Sequence, residues 1–105
     1  MADYPTTVLA DSPSLYLRFG ETSGVSAADS SGNGLTGTHV GGPTLGVAGA
    51  LKRDLDPSIT LNGSTQYVSS ADNALLDPGD TFTLEAWAKP ASFVASQTLI
   101  SKDTN

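Results

Sequence analysis

The sequence contains no cysteine, one methionine and one histidine, and aromatic residues make up only 7% of its 105 residues. Without cysteine, no disulfide can stabilise the fold. The few aromatic residues leave little bulk for a core, and a chain of this length buries only about two-thirds of its unfolded surface. We therefore expect a single domain of marginal stability that metal binding or oligomerisation would strengthen.

Positive charge is also scarce, since the sequence has five basic and eleven acidic residues and a net charge of −6. This balance argues against nucleic acid and anionic membrane surfaces as partners, because both attract lysine and arginine. No apolar run approaches the length of a membrane-spanning helix. The first residues, Met-Ala-Asp-Tyr-Pro-Thr-Thr, lack the basic and apolar regions of a signal peptide.

Turn-forming residues are plentiful, including 11 glycines and 6 prolines, and they separate short segments of strand-like composition. Predicted strands cover residues 14–19, 37–40, 58–61, 66–69, 81–88 and 98–101, and single helical turns are predicted at 6–11 and 73–76. No internal repeat or linker interrupts the chain. The sequence thus predicts an all-β protein with no helix longer than two turns.

Two of these segments have the clearest patterns. In residues 81–88, Phe82, Leu84, Ala86 and Ala88 alternate with Thr83, Glu85 and Trp87, as in a strand with one apolar face. Asn62-Gly63 lies between the strands predicted at 58–61 and 66–69, and this dipeptide is typical of a hairpin turn. We therefore expect these two strands to pair.

Four stretches in order carry a family resemblance: LADSPSLYLRFGETSG (9–24), AADSSGNG (27–34), LNGSTQYV (61–68) and FTLEAWAKP (82–90). Together they resemble laminin G-like domains of the concanavalin A-like lectin/glucanase superfamily, in its bacterial and bacteriophage branch. The resemblance implies a jelly-roll antiparallel β-sandwich and covers the chain from about Leu9 onward.

Two departures from the family qualify what the resemblance implies. Leu17 stands where the family usually has an aromatic residue. The family's domains are also much longer, so residues 1–105 correspond to a single laminin G-like domain or to its N-terminal half. We therefore expect an incomplete sandwich with open strand edges, which strands of partner chains complete. The alternative is that residues 1–105 belong to a longer protein whose remaining residues complete it.

Asp29, Ser31 and Asn33, followed by Gly34, loosely match the start of a calcium-binding loop. The resemblance adds weight to calcium, since relatives in the superfamily often bind it. However, Val40 occupies the twelfth position, where such a loop has a bidentate glutamate. The alternative, which we favour, is a glycine-rich loop whose side chains bond their own backbone. No other cofactor is expected.

Glu21 and Glu85 are the only glutamates and hence the first candidates for a glycosidase pair. The superfamily's glucanases carry a Glu-x-Asp-x-x-Glu strand, and the residues after Glu85 lack both partner carboxylates. We therefore predict no enzymatic activity and expect Glu85 to pair with Arg18 or Lys89. His39 has no clustered ligands, which argues against a metal or catalytic role.

Trp87 has two interpretations. It could stack on a sugar ring of a host surface glycan, or it could cover the core or a loop, and we favour packing. Two functions follow from the resemblance: a structural or accessory virion protein, as a phage head decoration or tail component, or a carbohydrate-binding adhesion module of a larger secreted bacterial protein. The first predicts a virion location, with other virion subunits or further copies of the chain as partners. The second predicts an extracellular location.

Overall fold

A computed structural model describes residues 3–93 and 95–102 of the chain. It contains a seven-residue helix, five strands and a short 3-10 helix, so the fold is β-rich with little helix. The elements are α1 (Tyr4–Ala10), β1 (Ser26–Ala27), β2 (Gly37–Val40), β3 (Thr44–Val47), β4 (Ser58–Thr60), β5 (Tyr67–Ser69) and the 3-10 helix (Ala74–Leu76). Within the described residues, no helix is long and apolar enough to cross a membrane.

The strands form two antiparallel sheets. The larger sheet has the order β1-β2-β5, and the smaller one pairs β3 with β4. In the larger sheet, His39 of β2 lies opposite Val68 of β5, and Ala27 of β1 lies opposite Gly37. The β-rich prediction is therefore confirmed, with β2, β4 and β5 close to their predicted positions.

The helix α1 begins with a well-formed cap. The Asp3 carboxylate accepts the backbone N–H of Thr6 at 2.9 Å, and Pro5 occupies the first turn, where its missing N–H costs nothing. The helix ends at Ala10, before the Ser12-Pro13 pair that restricts the backbone to non-helical conformations. Its seven residues are within the predicted limit of two turns.

The predicted hairpin at Asn62-Gly63 is wrong, although a bend over residues 63–65 does follow Asn62. The flanking strands β4 and β5 belong to different sheets, so the bend carries the chain from one sheet to the other. Gln66 fixes this crossover by donating to the Gly41 and Gly42 carbonyls at 3.2 and 3.0 Å. Gly41 has φ +82, and a Cβ there would collide with the Thr65 carbonyl oxygen.

Three predicted strands are absent. Residues 14–19 contribute only a single bridge between Leu17 and Asp29, and residues 81–88 and 98–101 form no strand. Conversely, β1 and β3 were not predicted. They contain two and four residues, with glycine and small side chains among them, and such short segments show little alternation of apolar and polar residues. A strand requires a neighbouring strand to bond to, and pattern alone does not supply one.

The core is as thin as the composition predicts. Among the described residues, those classed as buried are Pro5, Ala27, Gly37, His39 and Pro43. Ala27 is fully buried and His39 is 3% exposed. No large apolar side chain is fully buried among the described residues. Stability therefore depends heavily on the polar contacts that join the loops to the sheets.

Candidate functional site

The most unusual surface of the molecule is its C-terminal part. We call residues 78–93 and 95–102 the exposed segment, because every one of them is exposed to solvent. Phe82 is 59%, Trp87 64% and Phe93 89% exposed, and Leu84, Leu99 and Ile100 are also largely accessible. Leu84, Leu99 and Ile100 lie around one trough, and exposed apolar residues that lie together are typical of interaction sites.

The exposed segment contains no regular backbone pairing among its described residues. Leu84 and Ala86 face Leu99 and Ile100 across an open trough without a ladder between them. Near its end, Lys102 anchors the segment by donating to the Leu76 carbonyl at 3.1 Å and by pairing with the Asp77 carboxylate. The two stretches with strand-like composition thus line one trough, and no backbone hydrogen bond joins them in the part of the chain that the structure describes.

One polar contact ties the exposed segment to α1. The Trp87 indole N–H donates to the Tyr4 hydroxyl at 3.0 Å, and that hydroxyl donates to Glu85 Oε1 at 2.8 Å. The Tyr4 and Trp87 rings meet edge to face, with centroids 6.4 Å apart. Burial, followed by the bond to Glu85, raises the pKa of the Tyr4 hydroxyl. Trp87 therefore contacts α1 along one edge while most of its ring stays accessible.

The predicted calcium residues do come together, but they bond the protein itself. Asp29 Oδ1 accepts the N–H groups of Tyr16 and Ser31 at 3.0 and 2.9 Å, and Oδ2 accepts the Ser31 hydroxyl and the Leu35 N–H at 2.8 and 3.0 Å. Asn33 Nδ2 donates to the Ser14 carbonyl at 2.9 Å. This loop therefore fastens residues 14–17 to the body of the molecule.

These bonds leave few ligands for a cation. Both Asp29 oxygens already accept two bonds each, and within the described ranges no group of three His, Cys, Asp or Glu side chains could hold a metal ion. Partial burial raises the pKa of the Asp29 carboxyl. The hydrogen bonds from the N–H groups of Tyr16, Ser31 and Leu35 lower this pKa by a larger amount, so the pKa lies below its usual value. These bonds are those of the self-bonded loop that we favoured, and whether the loop also binds calcium stays untested.

A second polar contact joins the larger sheet to the loop that contains Glu21. His39 Nε2 is 3.2 Å from Glu21 Oε1, and the side chains are 1% and 22% exposed. Glu21 Oε2 also accepts the Ala28 N–H at 3.3 Å. The Phe19 ring lies 6.1 Å from the imidazole, and His39 Nδ1 is buried with no partner among the described residues. His39 thus acts as a core residue, held by a glutamate from a loop.

A third contact involves Arg18, whose guanidinium makes two bonds of 2.7 Å to the carboxylate of Asp56. The bond to Asp56 raises the pKa of Arg18. The expected pairing of Glu85 with Arg18 or Lys89 is therefore wrong, since Glu85 accepts from Tyr4 instead. No sequence signal identified Tyr4, Asp56 or Glu21 as these partners, because each contact joins residues far apart in the chain.

No protein-family model, curated protein or solved structure matches this chain.

Proposed function

We propose that this protein is a non-enzymatic structural or accessory virion protein, a phage head decoration or tail component, built on a laminin G-like jelly-roll sandwich. Its role is attachment, and strands from outside residues 1–105, belonging to neighbouring subunits or to the rest of a longer protein, complete its sheets. The observation that carries this proposal is the exposed segment, in which residues with a strand-like pattern present apolar side chains to solvent.

The physical basis is the free energy of unpaired strand groups and uncovered apolar area. Phe82 and Leu84 are both more than half exposed, and burying such side chains contributes about 1.5–3 kcal/mol each. A neighbouring strand would also satisfy the free backbone N–H and C=O groups of the segment. Both terms favour the addition of strands from another chain.

The bonding of the two glutamates supports a non-catalytic role. Glu21 is bonded to His39 and to the Ala28 N–H, and Glu85 accepts the Tyr4 hydroxyl. The two carboxylates thus bond different parts of the fold, one at the larger sheet and one at α1. In a glycosidase pair, both carboxylates face the same sugar. The resemblance to the phage and bacterial branch supports the virion assignment, and the net charge of −6 favours protein over nucleic acid as the partner.

Analytical ultracentrifugation over a range of concentrations tests the proposal. We expect the parent chain to associate and Leu84→Lys to weaken that association at least tenfold, because the lysine would have to be buried on the apolar face. Thr83→Lys is the matched control, since it adds the same charge to the opposite face of the predicted strand. A parent chain that stays monomeric, with amides protected from hydrogen exchange between residues 81 and 101, would contradict the proposal.

A second candidate, a carbohydrate-binding adhesion module of a larger secreted bacterial protein, is favoured by the geometry of Trp87. Trp87 is held by its bond to Tyr4 yet is 64% exposed, and the neighbouring Glu85 carboxylate can accept hydrogen bonds from sugar hydroxyls. We expect Trp87→Ala to abolish any glycan binding detected on an immobilised glycan panel. Phe93→Ala, which removes an even more exposed ring, is the control and should leave binding unchanged.

A further inference from the structure

The sequence contains two Asn-Gly pairs, Asn33-Gly34 and Asn62-Gly63, in which the glycine has no side chain to shield its backbone nitrogen. In both, the space where a glycine Cβ would lie is open. We propose that Asn33 is a site of spontaneous, water-dependent conversion to aspartate and isoaspartate, and that the fold protects Asn62 from the same reaction.

The chemistry is an intramolecular acyl substitution followed by hydrolysis. The Gly34 backbone nitrogen loses its proton to solvent base and attacks Asn33 Cγ, and the Cγ–Nδ2 bond breaks with release of ammonia. Water then opens the resulting five-membered imide at either carbonyl, giving aspartate or isoaspartate. The attacking and leaving groups belong to adjacent residues, so the ring closure is favoured by proximity. Water is the sole co-reactant.

The side chain of Asn62 is held against this rearrangement. Its Oδ1 accepts the N–H groups of Ser64, Thr65 and Gln66 at 2.9, 2.9 and 3.2 Å, and its Nδ2 donates to Thr65 Oγ1 at 2.8 Å. The Asn62 N–H is also bonded, to Gln66 Oε1 at 2.9 Å. Turning Cγ towards the Gly63 nitrogen would break this whole set of contacts.

The Asn33 amide is held by far less. Among the described residues, its Nδ2 donates to the Ser14 carbonyl at 2.9 Å, and its Oδ1 has no hydrogen-bond partner. Asn33 is exposed, so hydroxide and water reach it freely. One contact rather than four restrains the amide group, and ring closure at Asn33 should be faster for that reason.

The product would alter the loop that fastens residues 14–17. A carboxylate at position 33 cannot donate to the Ser14 carbonyl, and it adds a negative charge to a loop that already contains Asp29. Isoaspartate also lengthens the main chain between residues 33 and 34 by one carbon. Conversion is therefore expected to loosen this attachment while the Asn62 crossover stays intact.

Peptide mass spectrometry after incubation of the native protein at mildly alkaline pH tests the proposal. Trypsin places the two pairs in separate peptides, residues 19–52 and 54–102. We expect product at Asn33 to accumulate about tenfold faster than at Asn62, from the difference in restraining bonds. In urea-unfolded protein the two rates should converge, because the folded contacts no longer distinguish them.

Two variants separate chemistry from folding. Asn33→Gln should abolish the modification in peptide 19–52, since the longer side chain forms the corresponding ring slowly. Thr65→Ala removes the bond to Asn62 Nδ2 and should accelerate conversion at Asn62 several-fold. Equal rates at the two sites in the native protein, or faster conversion at Asn62, would overturn the proposal. So would modification at Asn33 that occurs only after unfolding.

Discussion

Residues 26–69 contain all five strands of the described structure, whereas residues 78–93 and 95–102 contain none. Strand-like alternation in the sequence is nevertheless more regular in the second region than in the first. The stretch from Phe82 to Ala88 alternates more regularly than any strand that forms, and β2, the central strand of the larger sheet, is the weakly patterned Gly-Thr-His-Val.

The difference lies in the availability of partners. β2 lies between two segments of the same chain that bond to it on both sides, and Gly37 allows close approach, since a Cβ there would lie 3.0 Å from the Ser69 carbonyl oxygen. The exposed segment has equal or better strand propensity but no neighbouring strand within residues 3–93 and 95–102. Propensity selects which residues can form a strand, and pairing decides which of them do.

The largest effect on stability is expected from Asp29→Ala, which lies in the strand-containing region, residues 26–69. The substitution removes the acceptor of four bonds, of which two come from Ser31 and one each from the N–H groups of Tyr16 and Leu35. We expect the free energy of unfolding to fall by about 2–4 kcal/mol, measured by urea denaturation. Asp80→Ala, in the exposed segment, is the control and should change it by less than about 0.5 kcal/mol. Equal effects would contradict the contrast between the regions.

The same carboxylate predicts a pH dependence. Its pKa in the folded protein is lowered from the usual 3.8, so on acidification the unfolded chain takes up its proton first. The contribution of Asp29 is therefore fully present above the unfolded pKa and is lost as the pH falls through the folded pKa. Unfolding free energies measured between neutral and strongly acidic pH should fall more steeply for the parent than for Asp29→Ala. Parallel curves would argue against these bonds.

A smaller effect is expected from Glu21→Leu, which leaves the buried His39 imidazole without its glutamate partner. A buried polar group without a partner costs about 1–3 kcal/mol, and the leucine recovers part of this by apolar burial, so we expect a loss of about 1–2 kcal/mol. Glu21→Gln, which keeps an oxygen able to accept from Nε2, should lose less. If Gln and Leu prove equally destabilising, the bond to His39 contributes nothing.

Local features of this fold could be predicted from the sequence. The helical turn before Ser12-Pro13, the 3-10 helix that begins after Asn73 and the bend at Asn62-Gly63 all depend on residues within a few positions of one another. The bonds of Asp29 to Ser31 and Leu35 belong to the same class, since they join residues at most six positions apart.

Features that depend on distant contacts could not be predicted. Asn62-Gly63 indicates a turn but not which sheet each flanking strand joins, and here they join different ones. Arg18 meets Asp56, Glu21 meets His39 and Tyr4 meets Glu85, in each case without a spacing rule that connects the two. The candidate site followed from the alternation in residues 81–88, but its exposure did not, because exposure depends on which distant segments pack against these residues.

The smallest expected effect is in the exposed segment, where Phe93→Ser should leave the unfolding free energy of the monomer unchanged within about 0.5 kcal/mol. The Phe93 ring is 89% exposed, so it has almost no burial to lose on truncation. Val68→Ser is the matched change in the larger sheet; Val68 lies opposite His39 and is partly buried, and its loss should cost about 1–2 kcal/mol. Urea denaturation at a concentration low enough to prevent association measures both. If Phe93→Ser destabilised the monomer as much as Val68→Ser, the exposed segment would have to pack against its own chain, and the proposed need for partner strands would fail.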